Sequence, residues 1–77
     1  MRRQIDDPRT IPALGPAIQA AEEAQCIVGT GYTMGTTIVG LWLTASTGQQ
    51  LTVEFHQQSW RNGGRLVKKR LAALAAG

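Results

Sequence analysis

The sequence is poor in the residues that build metal sites and disulfides. Among its 77 residues there is one cysteine, Cys26, and one histidine, His56. A single cysteine excludes an internal disulfide, and these two residues cannot supply the four ligands of a structural zinc site. For His56, the sequence pattern indicates neither a second titratable partner nor a nucleophile, so a catalytic dyad is not supported. We therefore expect no metal, no cofactor, no small-molecule substrate and no enzymatic activity.

Long apolar runs are also missing. No stretch approaches the roughly 18–20 apolar residues that cross a bilayer. The arginines near the start, Arg2 and Arg3, are not followed by the apolar segment of a signal peptide. Because small secreted domains are usually rich in disulfides, the sequence predicts a cytoplasmic protein without a membrane partner.

The first ten residues differ in character from the rest. They hold mixed charges, Pro8 and one large aliphatic residue, Ile5. Such a terminus is usually poorly ordered unless something holds it. We predict a flexible arm over residues 1–10 and a single domain over residues 11–77, whose small size limits it to one core.

The remaining pattern predicts two helices and three strands. The first helix is expected to begin near Gly15, with Pro16 in its first turn, where proline is tolerated. Alternating or β-branched stretches then predict strands over residues 26–34, 36–45 and 51–57. A stripe of apolar residues predicts a second helix over residues 65–76. The fold class is α+β, in α-β-β-β-α order: a three-stranded antiparallel meander with two helices on one face, forming two layers.

The turn between the second and third strands can be derived from the apolar alternation. Cross-strand partners share a face, so a loop of residues 46–48 places Leu43 opposite Leu51 and Leu41 opposite Val53. Gly48 then takes the left-handed position of a three-residue hairpin loop. The apolar residues that this arrangement buries are predicted to be Val39, Leu41, Leu43, Leu51, Val53, Phe55, Val67, Leu71 and Leu74.

Positive charge is concentrated in the last third of the chain. Residues 1–50 carry a net charge of −1, whereas residues 51–77 carry +4. The cations form one cluster around the start of the second helix: Arg61, Arg65, Lys68, Lys69 and Arg70. Such a cluster is typical of a protein that binds nucleic acid, a nucleoprotein complex or an acidic protein surface. The alternative interpretation is a solvated helix face without a partner.

The element order and the Lys68-Lys69 pair, followed by an alanine- and leucine-rich helix, resemble the double-stranded RNA-binding domain. The resemblance implies that the lysines contact phosphates across a groove of the nucleic acid, and that the protein recognises the shape of the duplex and not its base sequence. Here the lysines lie deeper in the helix than in that family. The family's loop between its first two strands is replaced by residues 33–36. Residues 42–76 also resemble the opening ββα unit of some phage and plasmid primase-helicases.

A second candidate surface lies on the sheet. Trp42 faces away from the aliphatic core, and Tyr32 and Ile38 are expected nearby. An exposed apolar patch with aromatic residues is typical of a protein interface. The alternatives are that the N-terminal arm or a second subunit, in a homodimer, covers the patch.

These features predict a small regulatory binding protein, of the kind found in phages and mobile elements, that engages nucleic acid or nucleoprotein through the basic helix. The alternative function is that of a protein-only inhibitor, which docks on a host protein or defence complex through the apolar sheet face.

Overall fold

The chain forms one antiparallel sheet with both helices packed against the same face. The computed structural model describes residues 2–76; Met1 and Gly77, the end residues of the predicted arm and domain, lie outside the described residues. The strands and helices, in chain order, are β1 (Arg2–Ile5), α1 (Gly15–Glu23), β2 (Ile27–Met34), β3 (Ile38–Thr44), β4 (Gln50–His56) and α2 (Gly63–Ala76). The strands lie in the order β1-β2-β3-β4.

The sheet has four strands, so the expected count of three is wrong. The additional strand comes from the predicted arm: Arg2 pairs with Met34 and Ile5 pairs with Gly31. The sequence of β1 gave no strand signal because its residues are mostly charged or polar. An edge strand tolerates such residues, since it pairs along one side only. The predicted α+β class is confirmed, with β1 placed before α1.

The predicted hairpin between β3 and β4 is confirmed. Leu43 lies opposite Leu51 and Leu41 lies opposite Val53. The loop is closed by the Gly48 N–H, which donates to the Ala45 carbonyl at 2.9 Å. Gly48 has a φ of 90°, the left-handed conformation that the three-residue loop requires.

Replacing Gly48 with valine is therefore expected to destabilise the protein by more than about 1 kcal/mol, because a β-branched residue tolerates positive φ poorly. A Cβ built at Gly48 meets no atom within 4 Å, so the whole effect arises from the backbone. Urea denaturation measures it. The neighbouring change Thr47→Val is the control and should leave stability nearly unchanged. Equal midpoints for the two variants would contradict the assigned loop conformation.

The core forms between the sheet and the helices, as predicted for most of its residues. The predicted core residues from β3 and β4 are all buried, as is Val67 of α2. Leu71 and Leu74 are half-buried and pack against the rim of this cluster. The N-terminal half contributes Leu14, which is fully buried just before α1.

The two glycines before the predicted second helix are part of it. The structure begins α2 at Gly63, two residues earlier than the pattern indicated. A Cβ at Gly63 would lie 3.0 Å from Cζ of Phe55, and one at Gly64 would lie 3.1 Å from the Pro16 carbonyl oxygen. The glycines thus allow α2 to approach both β4 and α1 closely. This contact fixes the direction in which the following basic residues point.

Candidate functional site

The predicted cations surround the start of α2 and are all exposed. Arg61 lies in the last turn of a 3-10 segment, Gln57–Asn62, that leads into the helix. Buried Val67 marks the inner side of α2. Arg65 and Lys69, one turn apart, lie on the opposite, outward side. We call the five residues the basic surface: Arg61, Arg65, Lys68, Lys69 and Arg70.

The basic surface wraps around the helix because consecutive helical residues point about 100° apart. Lys68 lies on the flank towards α1, beside a cleft that Glu23 also lines. Arg70 lies on the opposite flank, beside a groove that it shares with Gln50 and Thr52 of β4. The structure therefore brings Arg65 and Lys69 onto one line and leaves Lys68 and Arg70 on either side of it.

Two of the five acidic residues, Glu22 and Glu54, form ion pairs away from the basic surface. Within residues 2–76 the ion pairs are Arg9–Glu22, at 2.8 Å, and Arg2–Glu54, at 3.9 Å. The hydrogen bond from Arg9 lowers the pKa of Glu22, and the same contact raises the pKa of Arg9. No Asp or Glu occurs between Phe55 and Ala76. The basic surface is thus left without a neutralising ion pair in the described part of the chain.

Trp60 is a candidate site residue that the sequence analysis missed. Trp60 is 36% exposed, so part of its ring is open to solvent. The Arg61 guanidinium carbon lies 5.2 Å from the centroid of the Trp60 ring, within the range of a cation–π contact. The adjacent Trp-Arg pair within a basic segment was the available signal. Trp60 adds an aromatic face to one end of the basic surface.

The predicted apolar patch on the sheet is not exposed as a unit. Tyr32 is fully buried, and Ile38 and Trp42 are half-buried. The rings of Tyr32 and Trp42 lie 4.7 Å apart, and Arg2 of β1 covers them at 4.5 and 5.9 Å from the two centroids. Tyr32 is therefore unavailable to a partner in this state. Of the alternatives, the position of Arg2 agrees with a patch that the N-terminal segment partly covers.

Tyr32 is held in place by a contact that crosses the central strand β3. Gly40 lies between Tyr32 and Glu54 in the ladder, and its lack of a side chain lets the Tyr32 ring pass over it. The Tyr32 hydroxyl donates a hydrogen bond to Oε2 of Glu54. Burial, followed by this contact with Glu54, raises the pKa of Tyr32 to about 12. The cluster satisfies its own polar groups, which indicates a structural role.

The remaining reactive groups do not form a site. Burial raises the pKa of the Cys26 thiol, which keeps it protonated near neutral pH. Residues 2–76 contain no group of three or more potential metal ligands. None of the helices in that range is both long and apolar enough for a membrane span.

No family model, curated protein or solved structure matches the chain.

Proposed function

We propose that the protein is a small, non-enzymatic binding protein that engages nucleic acid, alone or within a nucleoprotein complex, through the basic surface. One observation carries the proposal: five exposed cations lie within ten residues, in a stretch from Phe55 to Ala76 that has no carboxylate. A polyanion supplies the charge that this surface lacks.

The position of the cations supports a binding role over a stabilising one. The first turn of α2 contains no acidic residue. Arg65 lies in that turn, where a cation opposes the helix dipole at a cost of about 0.3–1 kcal/mol. A sequence selected only for stability would favour Asp or Glu there. The unfavourable placement is explained if the guanidinium group meets an anion in the complex.

The way in which the cations surround the helix supports contacts to a phosphate backbone. Arg65 and Lys69 project outward, and Lys68 and Arg70 extend the charge to both flanks. Contacts to phosphates position a protein on nucleic acid but do not read its sequence. We therefore expect binding with little sequence preference.

Salt dependence tests the proposal. Fluorescence anisotropy with labelled 20-residue oligonucleotides, at 50 to 400 mM NaCl, gives the dissociation constant at each salt concentration. For duplex DNA we expect the logarithm of the affinity to fall linearly, with a slope of about −2 to −4.5, because each neutralised phosphate contributes about −0.9. Undetectable binding at the lowest salt, or a slope near zero, would refute the proposal.

The alternative function, docking on a host protein or defence complex through the sheet face, has less support. Arg2 covers the Tyr32 and Trp42 rings, so the aromatic pair presents little apolar area. An origin in a phage or mobile element and a location in the cytoplasm stay predictions from the sequence.

A further inference from the structure

A groove of about 570 Å³ opens next to the basic surface, at the end of the sheet where β3 begins and β4 ends. This volume is in the range of about 300–1,000 Å³ that is typical of small-molecule sites. Trp60, Ile11 and Pro12 give the groove apolar lining. Thr36 and Gln58 are among the polar residues that complete it.

We propose that this groove takes an unpaired base of a single-stranded polynucleotide, stacked on Trp60, while Arg61 and Arg65 contact the neighbouring phosphates. The inference rests on the proposed function and deepens it, because it names single strands as the preferred ligand. The bases of a duplex already stack on one another, so an exposed aromatic side chain is open only to an unpaired base.

The chemistry of the lining fits a base. An exposed tryptophan ring offers a flat face, and a base of any type can stack on such a face. Base edges carry both hydrogen-bond donors and acceptors, and glutamine amides and threonine hydroxyls also carry both. The Gln57 backbone N–H donates to the Thr37 carbonyl at 2.6 Å. This bond fixes the strand ends that present the neighbouring Thr36 and Gln58.

Charge at the mouth of the groove fits the rest of the nucleotide. Arg61 follows Trp60 directly and lies 5.2 Å from its ring centroid, so a base stacked on Trp60 places its phosphate within reach of a guanidinium. Arg65 follows four residues after Arg61, in the first turn of α2, where the outward line of the basic surface begins. Residues 55–76 contribute no carboxylate along this path. The carboxylate beside it is that of Glu23 in α1, which shares a cleft with Arg65 and Lys68.

Tryptophan fluorescence tests this geometry directly. The chain has two tryptophans, so the variant Trp42→Phe leaves Trp60 as the sole reporter. We expect dT12 and U12 single strands to quench its emission, because every base has a face that can stack. A 12-base-pair duplex at equal saturation should quench it much less. Equal quenching by single strands and duplex would overturn the inference.

Affinity measurements with Trp60 variants provide the second test. Trp60→Ala should weaken binding of dT12 and U12 by about 5- to 150-fold, the equivalent of 1–3 kcal/mol, and weaken duplex binding less than twofold. Trp60→Phe should keep most of the single-strand affinity and Trp60→Leu should lose most of it, because leucine keeps apolar volume without an aromatic face. Thermal melting checks that each variant is folded. If Trp60→Ala does not fold, the single-strand affinities of Trp60→Phe and Trp60→Leu decide whether an aromatic face is needed.

The two proposals fail in different ways. If the parent protein binds neither single strands nor duplex at low salt, the proposed function fails. If the parent binds both and the Trp60→Leu and Trp60→Phe variants bind single strands equally well, only the stacking inference fails.

Discussion

Replacing Gly40 with alanine is expected to lower the free energy of unfolding by about 2–4 kcal/mol. A Cβ at this position would lie 2.1 Å from Cζ of Tyr32, so the ring must move. Overpacking of this kind costs about 1–3 kcal/mol, and the displaced hydroxyl also loses its hydrogen bond to Glu54, which contributes about 0.5–1.5 kcal/mol. A domain of this size has a total stability of about 4–12 kcal/mol. The substitution therefore removes a large fraction of it.

Thermal and urea denaturation measure this effect, and the chain offers a matched control. Gly15, at the start of α1, has a φ of −52° and, apart from its chain neighbours, no atom within 4 Å of a built Cβ. Gly15→Ala should therefore cost much less than Gly40→Ala, because its Cβ meets only the ring of the following Pro16, which disfavours this helical backbone for a residue with a Cβ. In a Tyr32→Ala background, Gly40→Ala should cost much less than in the parent, because the ring that it displaces is absent. An unchanged cost in that background would show that the ring does not pass over Gly40.

The double substitution Arg65→Glu with Lys69→Glu is expected to weaken nucleic-acid binding by between about tenfold and a thousandfold. Each substitution turns an attraction to phosphate into a repulsion of about 1 kcal/mol in water, before screening by salt. Both side chains are exposed. A carboxylate in the first turn of α2 interacts favourably with the positive end of the helix dipole. Stability should hold or rise slightly, so lost binding can be separated from lost fold.

A charge-matched control separates the basic surface from the net charge of the protein. Lys69→Glu and Arg3→Glu each change the net charge by the same amount. Arg3 is exposed in β1, at the opposite edge of the sheet from β4. Lys69→Glu should weaken binding far more than Arg3→Glu. Equal losses would mean that binding depends on overall charge and not on α2.

The hairpin and the core were readable from the sequence because they depend on local rules. Alternation along one strand fixes which residues face inward, and loop length then fixes the pairing of Leu43 with Leu51. The pairing of β2 with β3 is interrupted by an irregularity at the glycines of β2. The β2–β3 register shifts between Val28 and Gly31, where Gly29 and Thr30 together face Trp42. A Cβ at Gly29 would lie 3.0 Å from the Trp42 carbonyl oxygen, which explains the preference for glycine.

The edge strand and the groove were not readable because they depend on contacts between distant residues. Nothing in the sequence of residues 2–5 indicates a strand, and pairing with β2 supplies the missing order. The groove brings Ile11, Thr36 and Trp60 together from three separate segments. The basic surface was predictable in composition. Which of its cations point outward and which lie on the flanks could not be predicted, because this depends on how α2 is rotated about its axis. Buried Val67 and the close contacts of the two glycines determine that rotation.

The position of β1 in the chain has a consequence for the order of folding. The β2–β3 and β3–β4 pairs join segments that are neighbours in the chain. In contrast, α1 lies in the chain between β1 and β2, so the pairing of Arg2 with Met34 closes a longer loop. Closing the longer loop costs more chain entropy, and non-local pairing slows folding. We therefore expect β1 to dock last and to open first in local unfolding. Its opening removes Arg2 from the Tyr32 and Trp42 rings, so a partly opened molecule, and not the fully folded one, exposes the aromatic face of the sheet.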